Sequence, residues 1–232
     1  MIRFKFIPLL LAFLFVSLSA SAETNTLTKV QKLNGWRLLF NGKDFDGWRT
    51  FNKGGKIGPA WEVKGGLLTK VETARSGGLM TVDTFGDFDL NWGWRIREGG
   101  NNGIKYFIKE GSEKSIGHEY QMFDDAAHGD SKRKGLTASF YDVLPPSARA
   151  KVKKPGEWNH SRIYVRGAKV EHWLNGKKVL AYTLGSEQVL KAVQDSKFKD
   201  VKGFGTKVRG HILLTDHKDH CEFKNIRIRE YK

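Results

Sequence analysis

The sequence predicts one all-β sandwich domain with one short helix, and three observations carry that prediction. Residues 87–96 alternate strictly, with Phe88, Leu90, Trp92, Trp94 and Ile96 on one face and Asp87, Asp89, Asn91 and Arg95 on the other. That period of two marks a half-buried strand. Further short runs rich in β-branched and aromatic residues are separated by turn residues rather than by helical stretches. Only residues 186–201 repeat apolar side chains (Val189, Leu190, Val193, Phe198) at helical spacing, behind a capping Ser186. About ten short strands with one helix fit a sandwich or barrel and exclude alternating βαβ units.

In chain order the other strand candidates are residues 36–40, 66–71, 104–109, 119–123, 161–165, 169–174, 177–183, 211–215 and 221–229. Asn175-Gly176 joins two of them and suits a two-residue type I′ turn, whose central residues need positive φ. Gly99-Gly100-Asn101-Asn102-Gly103 reads as another turn for the same reason. No repeat or low-complexity linker divides the chain, so residues 23–232 are expected to form a single domain.

Residues 1–22 are set apart. Arg3 and Lys5 precede an apolar run from Ile7 to Leu18, and Ala20-Ser21-Ala22 offers a small-residue cleavage site. This is the order of parts in a secretory signal peptide, and the run is too short to span a bilayer. The expected location is therefore secreted or periplasmic, with no membrane insertion. Forty Lys and Arg stand against 25 Asp and Glu, a net charge of +15. Such a balance suits acidic glycans or an anionic cell envelope. The basic residues are spread along the chain rather than gathered in one helix or loop, so nucleic acid is not an expected partner. Cys221 is the one cysteine, which rules out an intramolecular disulfide. It lies in a strand-like run and is expected to be a buried, inert thiol.

Six strings, in order, carry a resemblance that spans nearly all of the chain after residue 35. They are Trp36-Arg37-Leu38-Leu39-Phe40-Asn41-Gly42-Lys43-Asp44-Phe45-Asp46-Gly47-Trp48; Asn102-Gly103-Ile104-Lys105-Tyr106; and His118-Glu119-Tyr120-Gln121-Met122-Phe123-Asp124-Asp125. Gly156-Glu157-Trp158-Asn159, His172-Trp173-Leu174-Asn175-Gly176 and Phe223-Lys224-Asn225-Ile226-Arg227-Ile228-Arg229 complete the set. Together they resemble the 3-keto-disaccharide hydrolase domain family. The resemblance implies a concanavalin A-like jelly-roll β-sandwich with sugar held on the concave face of one sheet. It also implies secretion and activity on glycosides already oxidised at C3. Two departures stand out. Thr215 precedes Asp216-His217 where the family often has Gln, and Asn102 replaces a small Ser before Gly103.

The strand His118 to Phe123 carries the densest chemistry. Its alternation sends Glu119, Gln121 and Phe123 one way and His118, Tyr120 and Met122 the other. A carboxylate accepts hydrogen bonds and an amide both donates and accepts, so Glu119 and Gln121 on a cleft face would hold sugar hydroxyls. A retaining glycosidase needs two carboxylates about 5–5.5 Å apart. Gln121 does not supply the second, although Asp124 could approach from the strand end. A structural salt bridge is the alternative reading of Glu119.

Cleavage by elimination asks for other groups. A ketone at C3 acidifies the C2 hydrogen, so a base can form an enolate and the C1 substituent then departs. The protein must supply a base, positive charge or a metal at the enolate oxygen, and an acid for the leaving oxygen. Histidine titrates near neutrality, and all seven histidines lie after residue 117. His217, in the Asp-His motif at an apparent strand end, joins Glu119 as a catalytic candidate. Lys105 is the candidate cation, expected to interleave with Phe107 and Lys109 on one strand face; an ordinary solvated lysine is its alternative. Asn102, Tyr141 and His172 are counted with Gln121 and Asp124 as substrate-binding candidates, although His172 suits a core-facing ring equally well. Trp92 and Trp94 belong to the core by their alternation. Trp48 and Trp61 flank a Gly-rich loop and are candidate sugar platforms. A divalent cation in a mixed His/Glu/Asp site stays open, with its ligands unassigned.

Three readings follow. The first is an enzyme that cleaves 3-keto-glycosides, as hydrolase or lyase, with the oxidised glycoside or oligosaccharide as its partner. The second is a non-catalytic carbohydrate-binding module, and the third a conventional glycoside hydrolase, which Gln121 disfavours. Oligomeric state, aglycone and linkage leave no mark in the sequence.

Overall fold

The computed structural model describes residues 24–72, 75–111, 113–128 and 133–231. The predicted signal segment lies outside them. Thirteen strands run β1 Trp36–Leu38, β2 Trp48–Thr50, β3 Trp61–Lys64, β4 Leu67–Lys70, β5 Leu79–Thr81, β6 Phe88–Ile96, β7 Asn101–Ile108, β8 His118–Phe123, β9 Asn159–Arg166, β10 Lys169–Leu174, β11 Lys177–Thr183, β12 His211–Leu214 and β13 Cys221–Glu230. Among the described residues the short α-helices are α1 Lys29–Leu33, α2 Asp125–His128 and α3 Glu187–Gln194. The strands pair antiparallel in two sheets, one ordered β11-β10-β9-β6-β13-β4-β3 with β1 joined to β13, the other β2-β5-β12-β7-β8. The fold is a jelly-roll β-sandwich. Among the described residues no helix is long and apolar enough to cross a membrane.

The alternation of β6 is realised as read. Phe88, Leu90, Trp92, Trp94 and Ile96 point between the sheets and are buried. Each large ring with a polar atom finds a partner, as buried indoles must. Trp94 Nε1 donates to Ser161 Oγ at 2.8 Å, and Trp92 stands edge-on to Tyr120 with centroids 5.0 Å apart. Asn175 and Gly176 both take positive φ, 48° and 80°, in the turn between β10 and β11. Helix α3 is shorter than the periodicity suggested. Ser186 caps it by accepting from Val189 N, and Val189 and Val193 are its buried face. Phe198 reaches the core from the turns that follow, stacked on Phe204 at 4.2 Å.

Three differences from the sequence reading shape the site. Strands β2, β3 and β5 are three or four residues long, too short to show a period. The glycine-asparagine turn is narrower than expected, because β7 begins at Asn101. Most consequential is a bulge at Phe107, which holds φ at +64° where the β7–β12 register shifts. A bulge turns the following side chain to the opposite face. Phe107 therefore packs into the core, edge-on to Phe88, Tyr106 and His118, and does not share a face with Lys105. Ile108 moves outside instead, into a small apolar cluster with Phe51, Met80 and Leu213.

Candidate functional site

The five-stranded sheet turns Lys105 of β7 and Glu119 of β8 to its outer face, and their Cα atoms are directly paired. Gly103 and Gln121 form the next such pair. On the other side of β7, Lys105 faces Leu213 of β12, and Thr215 N donates to Gly103 O at 3.0 Å. Within β12, Leu213 shares the outer face while Ile212 and Leu214 turn inward. Past its end the alternation stops, Thr215 Oγ1 donating to Asn102 Oδ1 on the inner side, and His217 lies where the charge of Lys105 acts on it. Lys105 thus stands opposite Glu119 on the ladder, and its charge also reaches His217. Period-two spacing in two neighbouring strands places Lys105 and Glu119, and His217 follows three residues past the end of β12.

Glu119 is nearly fully buried, and burial raises its carboxyl above the usual carboxylate range, with Lys105 and Lys197 pulling it back. Its place depends on the residue opposite. A methyl group at position 103 would stand 2.4 Å from Glu119 Oε1, so only glycine leaves room for the carboxylate over β7. Gly103 keeps an ordinary negative φ, and substitution there costs no backbone strain. Gly103→Ala is therefore expected to displace the carboxylate and lower kcat tenfold or more, with the melting temperature moved by only a few degrees. Parallel kinetics and thermal unfolding check this; wild-type kcat would show that Glu119 tolerates displacement.

His217 is held below the ordinary imidazole range, first by burial and then by the positive charges of Arg75 and Lys105, against Asp219 and Asp216. It is neutral at pH 7. Its neighbour Asp216 organises this end of the sheet. Asp216 Oδ2 accepts from Ser76 N and Gly77 N at 2.6 and 2.7 Å, while Oδ1 lies 3.2 Å from the fully buried Lys70 Nζ of β4. One carboxylate thus fixes both the strand end bearing His217 and the segment bearing Arg75. Lys105 Nζ donates to Ser115 O at 3.0 Å, which ties it to the loop before β8.

Beyond β8 the chain runs on as an irregular edge: Ala138 N donates to Gln121 O and Tyr141 N to Glu119 O. Tyr141 thereby lies beside Glu119, and its ring carries Lys197 Nζ at 4.1 Å. Gln121 Nε2 donates to Asn101 Oδ1 at 3.2 Å. Arg75 and Lys197 are site residues that sequence reasoning missed. Neither sits in a strand, so no periodicity points to them.

Five predicted binding residues fall elsewhere. Asn102 is fully buried on the inner side of β7, where Oδ1 accepts from Gly103 N and Thr215 Oγ1; it supports the site and does not line it. Asp124 Oδ2 accepts from Gly99 N at 2.9 Å, so it closes the turn before β7. His172 is a core residue, bonded to Tyr106 Oη at 3.1 Å and to Ala138 O at 3.0 Å. Trp48 and Trp61 are core residues too, 5% and 4% exposed, and their indole N–H groups donate to Leu39 O and Gly77 O. An indole that spends its N–H on backbone inside the sandwich has no face left for a sugar. Among the described residues no three His, Cys, Asp or Glu side chains gather to hold a metal ion. His220 faces Glu222 at 3.8 Å, away from any shared ligand set with His217.

Jelly-roll sandwiches that build a polar site on the outer face of one sheet are a class of carbohydrate-active protein, and this chain is of that class. Within it, the chain belongs to the 3-keto-alpha-glucoside-1,2-lyase-like domain family, whose model matches residues 35–229. A 3-keto-disaccharide hydrolase of Bacteroides thetaiotaomicron is 29% identical, over 90% of this chain and 83% of that one. A Parabacteroides distasonis protein provisionally described as a glycosyl hydrolase superposes with a TM-score of 0.81 at 31% identity, covering 90% of this chain and all of that one. A second such protein of the same organism gives 0.69 at 26% identity, over 84% and 99%. The protein is a carbohydrate-active enzyme of the glycoside hydrolase type.

Proposed function

We propose that the protein cleaves glycosides whose sugar carries a ketone at C3, and that it acts outside the cytoplasm after loss of residues 1–22. One observation carries the reading: the outer-face carboxylate of Glu119 stands among the cations Lys105 and Lys197, Lys105 also acts on the neutral imidazole of His217, and the nearby Asp219 is bonded to Asn101 N. Gln121 holds the next outward position on β8, and Asp124 and Asp125 bond backbone or Thr137 instead. A paired-carboxylate glycosidase would need a second acid.

The shifts oppose each other usefully. His217, kept neutral, takes the C2 proton. The enolate charge on the C3 oxygen is met by Lys105 and Arg75. As the C1–O bond breaks, Glu119, whose carboxyl burial favours protonated, gives its proton to the leaving oxygen. The sugar leaves with a C1–C2 double bond, and addition of water across it completes a hydrolysis; release before that step makes the enzyme a lyase. The test is aglycone release from a 3-keto-glucoside and from its unoxidised parent, in D2O and with chelator. Release from the keto substrate alone, giving either the C1–C2 unsaturated sugar or a hydrated sugar with deuterium at C2, is the expected result. Loss in chelator would hand the cationic role to a metal ion. Cleavage of the parent would favour a conventional glycosidase, and binding without release a carbohydrate-binding module.

A further inference from the structure

The opposite side of the sandwich carries features that the proposed chemistry does not use. The outward residues of β6, β9, β10 and β13 fall into cross-strand rows, and the central row reads Arg227, Asn91, Arg162 and Trp173. The next row has Gly93 between Lys224 and His160, whose side chains close over the glycine, Lys224 Cγ and His160 Cε1 standing 3.2 and 3.7 Å from where its Cβ would be. A groove of ≈ 410 Å³ follows the central row, lined by Asn91, His160, Arg162, Trp173, Asn225 and Arg227. That is room for one or two sugar rings, within the ordinary range for ligand clefts.

The charges of this face do not balance. Asp89 is buried and already saturated, taken by Arg162 Nε and Nη2 at 2.6 and 2.8 Å and by Arg229 at 3.3 Å. Glu171 is claimed by Lys169 and Lys178. Arg227 is left over: among the described residues it makes no ion pair or hydrogen bond, and only the Trp36 ring lies against it, at 5.6 Å. Lys224 likewise has no carboxylate and rests 4.0 Å over the Trp158 ring. Burial lowers Arg227 and Lys224 from their ordinary values, and His160 is lowered by burial and by Lys153, Lys224 and Arg227. Arg227 and His160 line the groove, Lys224 stands beside them, and the one carboxylate acting on Arg227, Asp89, is already bonded to Arg162 and Arg229, so a partly desolvated cation there gains from an external anion.

We infer that this groove is a second binding site, distinct from the candidate active site, for the carboxylate of a uronate unit in an acidic glycan. The carboxylate lies against Arg227 with Lys224 beside the groove as a second cation, and Asn91 and the rim of Trp173 contact the ring hydroxyls and C–H face. A polymer held here would keep the enzyme on acidic polysaccharide while the other sheet works. A glycan fits better than nucleic acid because the cations gather at one sugar-sized groove rather than in a stripe matched to successive phosphates.

The test is calorimetric titration of the mature chain, carrying Glu119→Gln so that the candidate active site does not turn over, with trigalacturonate and with a neutral trisaccharide. Trigalacturonate is expected to bind at least tenfold tighter. Arg227→Gln with Lys224→Gln is expected to abolish that preference, while the same pair in the wild-type background leaves the melting temperature and the rate on a 3-keto-glucoside within twofold. Equal affinity for the two trisaccharides, or a preference that survives the double substitution, would overturn the site. Tighter binding of a short single-stranded DNA of equal charge would overturn the glycan assignment. The binding outcomes are independent of whether the keto substrate is cleaved.

Discussion

Glu119→Gln and His217→Ala are each expected to lower kcat on a 3-keto-glucoside by 10²-fold or more, the usual reach of acid–base groups. Glutamine keeps the shape of Glu119 and its place over Gly103, and it removes only the exchangeable proton. Stability should hold, since a buried ionisable group is replaced by a neutral one and Tyr141 N still finds the Glu119 backbone oxygen. Truncating His217 leaves the Asp216 contacts to Ser76, Gly77 and Lys70 in place, so that end of the sheet stays assembled.

The pH profile gives the roles away. A base must be unprotonated, so kcat/KM falls on the acidic side as His217 takes up its proton, below the ordinary imidazole range. An acid must be protonated, so the alkaline limb follows Glu119, above the ordinary carboxylate range. The residual activity of His217→Ala should lose the acidic limb, and that of Glu119→Gln the alkaline one. Wild-type rates in both variants would remove this site while leaving the fold untouched. Exchanged limbs would reverse which residue gives and which takes the proton.

The sandwich was legible because its long strands state their period. Strand β6 exposes nine residues of unbroken alternation, and β8 gives Glu119 and Gln121 a common face in the same way. Where a side chain's direction depends on something other than period, the sequence misleads. The Phe107 bulge is invisible in a run that reads as regular strand, so Phe107 and Ile108 exchange faces. Trp48 and Trp61 flank glycines as a sugar platform would, yet burying a large ring outweighs local context. His172 could be read either way from its strand and was decided by partners more than 30 residues distant, Tyr106 and Ala138. Arg75 and Lys197 reach the site from irregular segments whose paths are set by the Asp216 and Asp142 carboxylates. Such long-range pairings leave no local trace in a single sequence.

The largest pH effect on stability should come from two histidines that perform no chemistry. His118 Nε2 accepts from Gly205 N at 3.1 Å, and rings of Tyr106, Phe107, Phe140 and Phe204 surround it. His172 donates from Nδ1 to Ala138 O and accepts from Tyr106 Oη through Nε2. Both rings are thus fixed in the neutral form, since a second ring proton would break the accepting bond and place a charge in an apolar cage. Burial lowers His118 to about 3 and His172 to about 4, from 6.5. The unfolded chain takes up these protons near pH 6.5 and the folded chain does not, so stability is full above that pH, falls as pH drops towards 4, and levels off below. At pH 5 each ring costs about 2 kcal/mol relative to neutrality, together a large share of a typical domain's stability. Urea unfolding at pH 7.5 and pH 5 measures the difference. His118→Phe fills the same cage without titrating, so its own difference should shrink by about half. A wild-type unfolding midpoint that is the same at both pH values would mean that the native interior admits the protons, and that these two rings are not held neutral.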